Sequence, residues 1–305
     1  MQEIPIISIK SISQLHEASG FSKPKHPLIS IVDLDEIQHS SEEDPYLRFS
    51  FDFYSISVKK GLQDKIQYGH QYYDFDEGVM ALIKPHQVVK MKASSITNVS
   101  GWMLLVHPDF LAGYPLAEKI HDYGFFSYDA HEALHLSDSE EQTILQHLQQ
   151  IKEEYDKLID AFSQDVMISQ LEVLLNYTHR FYSRQFLTRK KVNHSLITQL
   201  DKLLNAYFAT NQAIEQGFPS PGMLSQELAV SRSYLNDLLK SVSGKTTQQY
   251  IQQAVIEEAK IRLLNGNSSI SEIAYALGFQ HSQSFSRFFK KHTELTPLGY
   301  RNGVG

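Results

Sequence analysis

The C-terminal hundred residues of this chain contain the same pattern twice, 50 residues apart, and this repeat limits the possible folds more than any other feature. The matched positions hold similar side chains: Leu235 and Phe285, Leu238 and Phe288, Leu239 and Phe289, Lys240 and Lys290, Thr246 and Thr296, and Tyr250 and Tyr300. Upstream the offset becomes 49, which pairs Ala229 with Gly278, so one copy has one additional residue in its turn. Each copy is predicted to be a short helix, a tight turn and a second helix.

The second copy indicates how such a unit packs. Its first helix has an apolar stripe at Ile270, Ile273, Ala274 and Leu277. Gly278 then supplies the turn, and the next helix, predicted over residues 282–291, has three inward aromatic residues, Phe285, Phe288 and Phe289. This is the plan of a helix–turn–helix unit, in which the second helix is free to enter a major groove.

The outward residues of the two second helices have the chemistry to contact DNA. In the second copy they include Ser282, Gln283, Ser286, Arg287 and Lys290. In the first copy, Ser231 is a plausible N-cap and the outward residues are Arg232, Ser233, Asn236, Asp237 and Lys240. Ser, Gln and Arg hydrogen-bond base edges, whereas Lys290, Lys291 and His292 at the far end suit phosphate.

A helical bundle that merely exposes polar residues, or that binds other proteins, is the alternative interpretation of one such unit. Two copies weaken it, because residues 247–264 between them are predicted to form one continuous helix. A single rigid connector would fix the spacing of the two recognition helices, as reading successive major-groove segments about 34 Å apart requires.

These residues resemble the signature of the AraC/XylS family of bacterial transcription regulators. The resemblance covers about residues 198–302 and is carried by Ala259, Leu263-Leu264, Ile273-Ala274, Gly278-Phe279, Phe285, Phe288-Phe289-Lys290, Thr296-Pro297 and Tyr300-Arg301. It implies two helix–turn–helix units joined by a long helix, binding to promoter DNA, and contact with RNA polymerase. It also implies an N-terminal cupin-like β-barrel that senses a small-molecule effector or forms a homodimer.

By this resemblance, base contacts are expected from the two recognition helices, and Lys240 and Lys290 fall where phosphate contact or packing is usual. The full predicted DNA-binding set is Arg232, Ser233, Asn236, Asp237, Lys240, His281, Ser282, Gln283, Ser284, Arg287 and Lys290. Three residues depart from the family pattern: Asp237 stands where many members have Arg, Glu294 where Gly is common, and Val255 where Arg is frequent. An acid at position 237 repels phosphate and accepts only from a cytosine amino group, which weakens base reading by the first unit.

The first third of the chain has the alternation typical of β structure. Leu47, Phe49, Phe51 and Phe53 alternate with polar residues, and Ile56 and Val58 continue the apolar face before a predicted turn at residues 59–61. Further short apolar runs occupy residues 66–75, 79–83, 88–91 and 102–106. Many short strands at this spacing suggest a sandwich or a small barrel, in which aromatic residues form the core or line a ligand pocket.

From residue 137 the period becomes helical. Ser137 and Glu140 form a capping box, and two amphipathic helices follow, separated near residues 160–163. We predict three parts: a cupin-like sensing domain at 1–136, a helical dimerisation segment at 137–188, and a double helix–turn–helix domain at 189–305. The fold class is therefore α+β multidomain, with an N-terminal cupin-like β-barrel, two flanking helices and a C-terminal all-α domain.

Charge and composition agree with this division. Residues 1–188 hold 15 Lys and Arg against 27 Asp and Glu, whereas residues 189–305 hold 13 against 8. A basic domain joined to an acidic one is expected when only one part approaches phosphate, although a solvated charged face would look similar. The chain has no Cys, residues 1–20 lack a signal-peptide pattern, and no apolar run approaches the roughly 18 residues of a membrane span. We therefore predict a cytoplasmic protein.

A metal-dependent cupin enzyme with a helical accessory domain is the competing function. Such an enzyme needs a His-x-His pair, which this chain lacks, so His70, His86 and His107 are interpreted as strand or loop-edge residues. Residues 131–135 match the His-Glu-x-x-His string of zinc proteases, but the new helix at Ser137 begins where the motif helix should continue. We predict no catalytic residue, no metal site and no cofactor.

Overall fold

The N-terminal half combines short strands with two long helices, and the C-terminal half is helical. The computed structural model describes residues 6–36, 46–60, 67–68, 71–72, 78–92, 100–129, 132–157, 160–210, 212–265 and 268–303. The strands are β1 (Ile6–Ile9), β2 (Ile29–Asp33), β3 (Tyr46–Phe51), β4 (Tyr54–Lys60), β5 (Gln67–Tyr68), β6 (Gln71–Tyr72), β7 (Val79–Ile83), β8 (Val89–Lys92), β9 (Ser100–Val106) and β10 (Leu134–His135). The chain divides into two compact units, Met1–Gln185 and Phe186–Gly305.

The helices of the first unit are α1 (Ile12–Ser19), α2 (Leu116–Lys119), α3 (Asp138–Asp156) and α4 (Ser163–Thr188). The helices of the second unit are α5 (Lys190–Ala209), α6 (Gln212–Gln216), α7 (Pro221–Glu227), α8 (Arg232–Ser243), α9 (Thr247–Asn265), α10 (Ile270–Ala276), α11 (Ser282–Thr293) and α12 (Pro297–Gly303). Within the described residues, no helix is both long and apolar enough to cross a membrane.

Two main sheets organise the first unit. One has the order β1-β3-β8, with β1 parallel to β3, and the other is antiparallel with the order β10-β7-β4-β9-β2. Strands β5 and β6 pair only with each other. Among the described strands these sheets do not close into a barrel, so the cupin-like barrel stays a prediction.

The local sequence explains most strand positions. Val79–Ile83 forms β7 as its apolar run predicts, and β9 contains the predicted run 102–106. The turn predicted at residues 59–61 is wrong for Lys59 and Lys60, which end β4, and Gly61 lies outside the described residues. Lys59 pairs with Val79 and Gly101. Two neighbouring strands therefore extend β4 beyond the point where its own charged residues suggested an end.

The predicted capping box begins α3, where the Ser137 amide donates to Glu140 Oε2 at 3.0 Å. Helix α4 packs on the five-stranded sheet, since Thr178 Oγ1 lies 3.6 Å from Met80 Sδ. At the end of this unit, the amide of His135 donates to Gln185 Oε1 at 2.9 Å. The two helices after residue 137 thus belong to the same compact unit as the sheets, and their separation as a dimerisation segment remains a prediction.

Helix α9 lies in the core of the second unit and contacts α5, α7, α8, α10 and α12. Its buried residues Ile251, Val255 and Ala259 pack with side chains from both copies of the repeat, including the fully buried Leu239 and Phe289. Val255 suits this position because a charged residue here would lose its hydration among apolar side chains.

Candidate nucleic-acid interface

The two copies of the repeat have the same local backbone. Helix α7 leads through a short turn to α8, and α10 leads to α11 in the same way. The Val230 amide donates to the Ser225 carbonyl at 3.0 Å, and the equivalent Phe279 amide donates to the Ala274 carbonyl at the same distance. Ala229 and Gly278 have positive φ angles of 53° and 89° in these turns. The repeat seen in the sequence is therefore a repeat of backbone geometry.

Helix α8 begins at a side-chain cap and buries one apolar face. Ser231 Oγ accepts from the Tyr234 amide at 3.1 Å, as the sequence predicts. Leu235, Leu238 and Leu239 are buried, and Gly244 ends the helix in a left-handed conformation with φ 73°. The cap satisfies one of the amides that a helix start otherwise leaves without a partner.

Helix α11 differs at both ends. His281 precedes it and makes no side-chain cap, while its last turn carries Lys290, Lys291 and His292. Phe285 and Phe289 are fully buried, and Phe288 packs against Phe218 and Phe279. The ammonium groups of Lys290 and Lys291 interact favourably with the C-terminal end of the helix dipole and provide cations beside the exposed face.

Most of the predicted contact residues of α8 have a solvent-exposed portion. Arg232 and Lys240 are exposed, and Ser233 and Asp237 are partly exposed. The guanidinium of Arg232 lies against Gly222 at the start of α7.

Asn236 is also partly exposed, but its side-chain amide is bonded inside the protein. The Thr247 amide donates to Asn236 Oδ1 at 3.3 Å, and Asn236 Nδ2 donates to Asp237 Oδ1 at 3.3 Å. Helical spacing alone did not indicate this, since it depends on how the chain turns from α8 into α9.

The predicted residues of α11 are more available. His281, Gln283, Ser284, Arg287 and Lys290 are exposed, and Ser282 is partly exposed. No described residue forms an ion pair or a side-chain hydrogen bond with Gln283 or Arg287. This face therefore presents donors and acceptors that are not engaged within the described protein.

Side chains whose capping role was not predicted stabilise the start of α9. Thr246 Oγ1 accepts from the Gln249 amide at 3.2 Å, and Gln249 Oε1 accepts from the Thr246 amide at 2.9 Å. This is a reciprocal capping box, for which the Thr-x-x-Gln spacing was the available signal. With the additional bond from Thr247 to Asn236, the recognition helix α8 is tied directly to α9.

Helix α9 is also linked to α5. Tyr250 Oη donates to Asp201 Oδ1 at 2.8 Å. Burial of the phenol, together with this hydrogen bond and the nearby carboxylate charge, raises the pKa of Tyr250 to about 12. The phenol therefore stays protonated, and able to donate, throughout the neutral range.

The described part of the zinc-protease string, residues 132–135, is not the helix that a metalloprotease would need. Leu134–His135 is strand β10, paired with β7, and Glu132 Oε2 accepts from the Asp129 amide at 2.7 Å. His131 and His70 lie outside the described residues. His86 contacts Asp52 at 3.2 Å, and His107 Nδ1 accepts from the Asp109 amide at 3.2 Å. Within the described residues, no three His, Asp or Glu side chains are grouped so that they could hold a metal ion.

In the first unit, the charged side chain of Lys59 lies in a largely apolar environment. Burial lowers the pKa of Lys59, which lies on β4 between Val79 and Gly101. The same row of β4 contains the buried residues Ser55 and Ser57. Ser55 pairs with Leu105, which belongs to the cluster of Ile12 and Phe53. Lys59 therefore lies on the same face of β4 as Ser55 and Ser57, the face that is directed towards this apolar cluster.

Two family models match separate parts of the chain. An AraC-like ligand binding domain matches residues 48–171, and a helix-turn-helix domain matches residues 224–303. The second match includes α8, α9, α10 and α11, and the first includes most of β3 and all of β4, β7, β8, β9, β10 and α3.

Individual relatives match short stretches of the chain. The chain is 40% identical over 70 residues to the HTH-type transcriptional regulator YobQ of Bacillus subtilis, which is 23% of this chain and 29% of that protein. It is 35% identical over 82 residues to the raffinose operon transcriptional regulatory protein RafR of Pediococcus pentosaceus, which is 27% of this chain and 30% of that protein. The matches thus span less than a third of the length of these two relatives.

Among solved structures, the C-terminal domain of the response regulator yesN from Fusobacterium nucleatum is 33% identical, with a TM-score of 0.26. The match covers 32% of this chain and 98% of that domain.

Proposed function

This chain belongs to the AraC family of transcriptional regulators, and we propose that it controls transcription by binding promoter DNA through two helix–turn–helix units joined by α9. The observation that carries the proposal is the pair of recognition helices, α8 and α11, built on one backbone plan with polar outer faces. A helix of this kind fits the width of a major groove and reads base edges there.

The connector has a suitable length for this task. Helix α9 contains 19 residues, so it is about 28 Å long. Successive major-groove segments on one face of DNA lie about 34 Å apart. Because α9 is buried against both copies of the repeat, it holds α8 and α11 at a fixed spacing.

Each predicted contact residue has a role that its chemistry supports. Gln283 and Arg287 read base edges, and Lys240 and Lys290 bind phosphates. The remaining contacts come from Arg232, Ser233, Asn236, Asp237, His281, Ser282 and Ser284. The basic C-terminal part supplies the non-specific attraction that brings the protein to DNA.

The N-terminal domain is proposed to regulate this activity as a cupin-like sensing domain at residues 1–136. The match to an AraC-like ligand binding domain supports a small-molecule effector held between its sheets. Isothermal titration of candidate small molecules against the full chain tests this, and an effector that binds without changing DNA affinity would contradict a sensing role. A contact with RNA polymerase is proposed from the family resemblance. If adding RNA polymerase does not raise the occupancy of promoter DNA by this protein, this contact is contradicted.

Dimerisation is proposed through the helices of residues 137–188, with residues 189–305 binding DNA. Three exposed apolar residues lie just before and on the outer side of α4: Phe162, Val166 and Val173, with 71%, 42% and 37% of their surface exposed. Such spacing suits packing against a second copy of the same helix. Val173→Glu is expected to convert the dimer to a monomer in sedimentation, and an unchanged mass would contradict this interface.

The family matches favour a regulator over the metal-dependent enzyme considered from the sequence. Selection of genomic fragments by the purified full-length protein, at two salt concentrations, tests the proposal. We expect a shared motif with two segments about one helical turn apart, and an affinity that falls steeply with salt. Failure of both the full chain and residues 189–305 to select any motif would contradict it.

Two substitutions distinguish base reading from phosphate binding in α11. Arg287→Ala is expected to lose about 1 to 3 kcal/mol of binding free energy and to relax base preference, whereas Lys290→Ala should weaken all sequences alike and reduce the salt slope by about one. If Arg287→Ala leaves affinity and preference unchanged, α11 does not dock in the major groove as proposed.

A further inference from the structure

We propose that the two recognition helices have unequal roles: α11 determines which base pairs are preferred, and α8 adds affinity with little base preference. This inference rests on the proposed DNA-binding function. Both helices contain 12 residues and occupy equivalent places in the repeat. Three differences between equivalent positions carry the argument.

The first difference is the charge at one equivalent position. Asp237 of α8 corresponds to Arg287 of α11 at the offset of 50. Arginine donates two parallel hydrogen bonds to guanine and is attracted to the phosphates on either side of the groove. A carboxylate in that place is repelled by the same phosphates and can accept hydrogen bonds only from the amino groups of cytosine and adenine. At this position, a correct base therefore adds much more binding free energy to α11 than to α8.

The second difference is whether the preceding residue, Asn236 in α8 and Ser286 in α11, is hydrogen-bonded within the protein. Asn236 is half-buried and is bonded to the amide of Thr247 and to Asp237. For Asn236 to make the paired bonds by which asparagine recognises adenine, its Oδ1 must leave the Thr247 amide. The equivalent residue of α11 is Ser286, which has no such bond to a described residue. Base reading by Asn236 therefore competes with a bond inside the protein.

The third difference is at the helix starts. Ser231 caps α8 through the Tyr234 amide at 3.1 Å, whereas no side chain caps α11 after His281. The Ser284 amide in the first turn of α11 donates to the His281 carbonyl at 3.1 Å instead of to a side chain. The side chains at the start of α11 are therefore not used for capping, and Gln283 in this turn is exposed.

The experiment uses the full-length protein and a selected DNA site in which each base pair is replaced in turn. Loss of preference in Arg287→Ala identifies the segment under α11. In that segment, we expect single replacements to lower affinity about 5- to 150-fold. In the other segment, we expect single replacements to change the affinity by less than about 2-fold. The absence of any DNA binding would instead contradict the proposed function itself.

Matched variants at equivalent positions sharpen the test. Gln283→Ala is expected to flatten the base profile under α11, whereas Ser233→Ala should leave the profile under α8 unchanged. Asp237→Arg places in α8 the side chain that α11 has, and we expect it to create a preference for guanine in the α8 segment. Equal base dependence of the two segments in the wild-type protein, with specific DNA binding retained, would overturn the inference of unequal roles alone.

Discussion

The two copies of the C-terminal repeat follow one backbone path but place glycine at different points along it. At the turn between the helices, the first copy has Ala229 and the second has Gly278, with φ angles of 53° and 89°. At the end of the recognition helix the arrangement is reversed, since Gly244 has φ 73° and Glu294 has φ 64°. Buried side chains and helix caps therefore keep the backbone left-handed even where the residue disfavours it, at a cost of about 1 to 2 kcal/mol.

Gly278→Ala is expected to have the largest effect on stability. A Cβ at this position would lie 2.6 Å from the carbonyl carbon of Gly217 and 2.9 Å from the amide nitrogen of Phe218. Backbone atoms cannot move aside cheaply, so we expect the free energy of unfolding to fall by about 3 kcal/mol. Gly244→Ala is the control, since its Cβ meets nothing within 4 Å. Urea unfolding followed by circular dichroism measures both, and equal losses would mean that the close approach to Gly217 is unimportant.

Glycine at the two non-glycine positions should stabilise the protein. Glu294→Gly and Ala229→Gly each remove a left-handed conformation from a residue with a Cβ, and we expect each to raise the free energy of unfolding by about 1 kcal/mol. The reverse change in the other copy, Gly244→Glu, should lower it by a similar amount. Thermal unfolding of the three variants tests this, and a destabilising Glu294→Gly would show that the glutamate side chain contributes more than its backbone strain.

Asn236→Ala tests whether α8 supports α9 in a way that α11 does not support α12. Loss of the bond from the Thr247 amide should lower the free energy of unfolding by about 1 kcal/mol. The equivalent change, Ser286→Ala, should stay within about 0.5 kcal/mol because no described residue depends on it. If the two substitutions lower the free energy of urea unfolding equally, the idea that Asn236 supports α9 while Ser286 supports no other helix is contradicted.

The smallest expected effect concerns Tyr250, whose equivalent in the second copy, Tyr300, packs against Phe289. Tyr250→Phe removes the hydrogen bond to Asp201 and should cost about 0.5 to 1 kcal/mol near neutral pH. The pKa of about 12 in the folded protein lies above the ordinary value of 10.0 for tyrosine. The bond therefore contributes fully below about pH 10 and is lost as the pH rises towards about 12. Stability measured at several alkaline pH values should fall less for Tyr250→Phe than for the wild type over that interval.

Local signals in the sequence predicted much of the C-terminal unit. Ser231 caps α8 as predicted, and the predicted connector 247–264 is helix α9 within one residue. Capping side chains and apolar periodicity act over one or two turns, so they are visible without the structure. These elements could be predicted because the local capping and periodicity signals favour the same helices that the packing of the C-terminal unit stabilises.

Other features depend on contacts between distant segments. Helix α1 and strands β1 and β2 were not predicted. Helix α1 nevertheless has local signals, since the Gln14 amide donates to Ser11 Oγ at 3.1 Å and Gly20 ends the helix with φ 73°. The extension of β4 to Lys60 required its pairing with β7 and β9. Likewise, the bond between Asn236 and Thr247 arises from the path of the chain around Gly244, which helical spacing within α8 does not contain.

The bond from Asn236 to α9 also makes the two recognition helices differ in how freely they can evolve. A substitution at position 236 changes the outer face of α8 and removes a support of α9 at the same time. A substitution at position 286 carries no such linked cost among the described contacts. The outer face of α11 can therefore accept a new side chain at this position with less loss of stability than the outer face of α8 can at position 236.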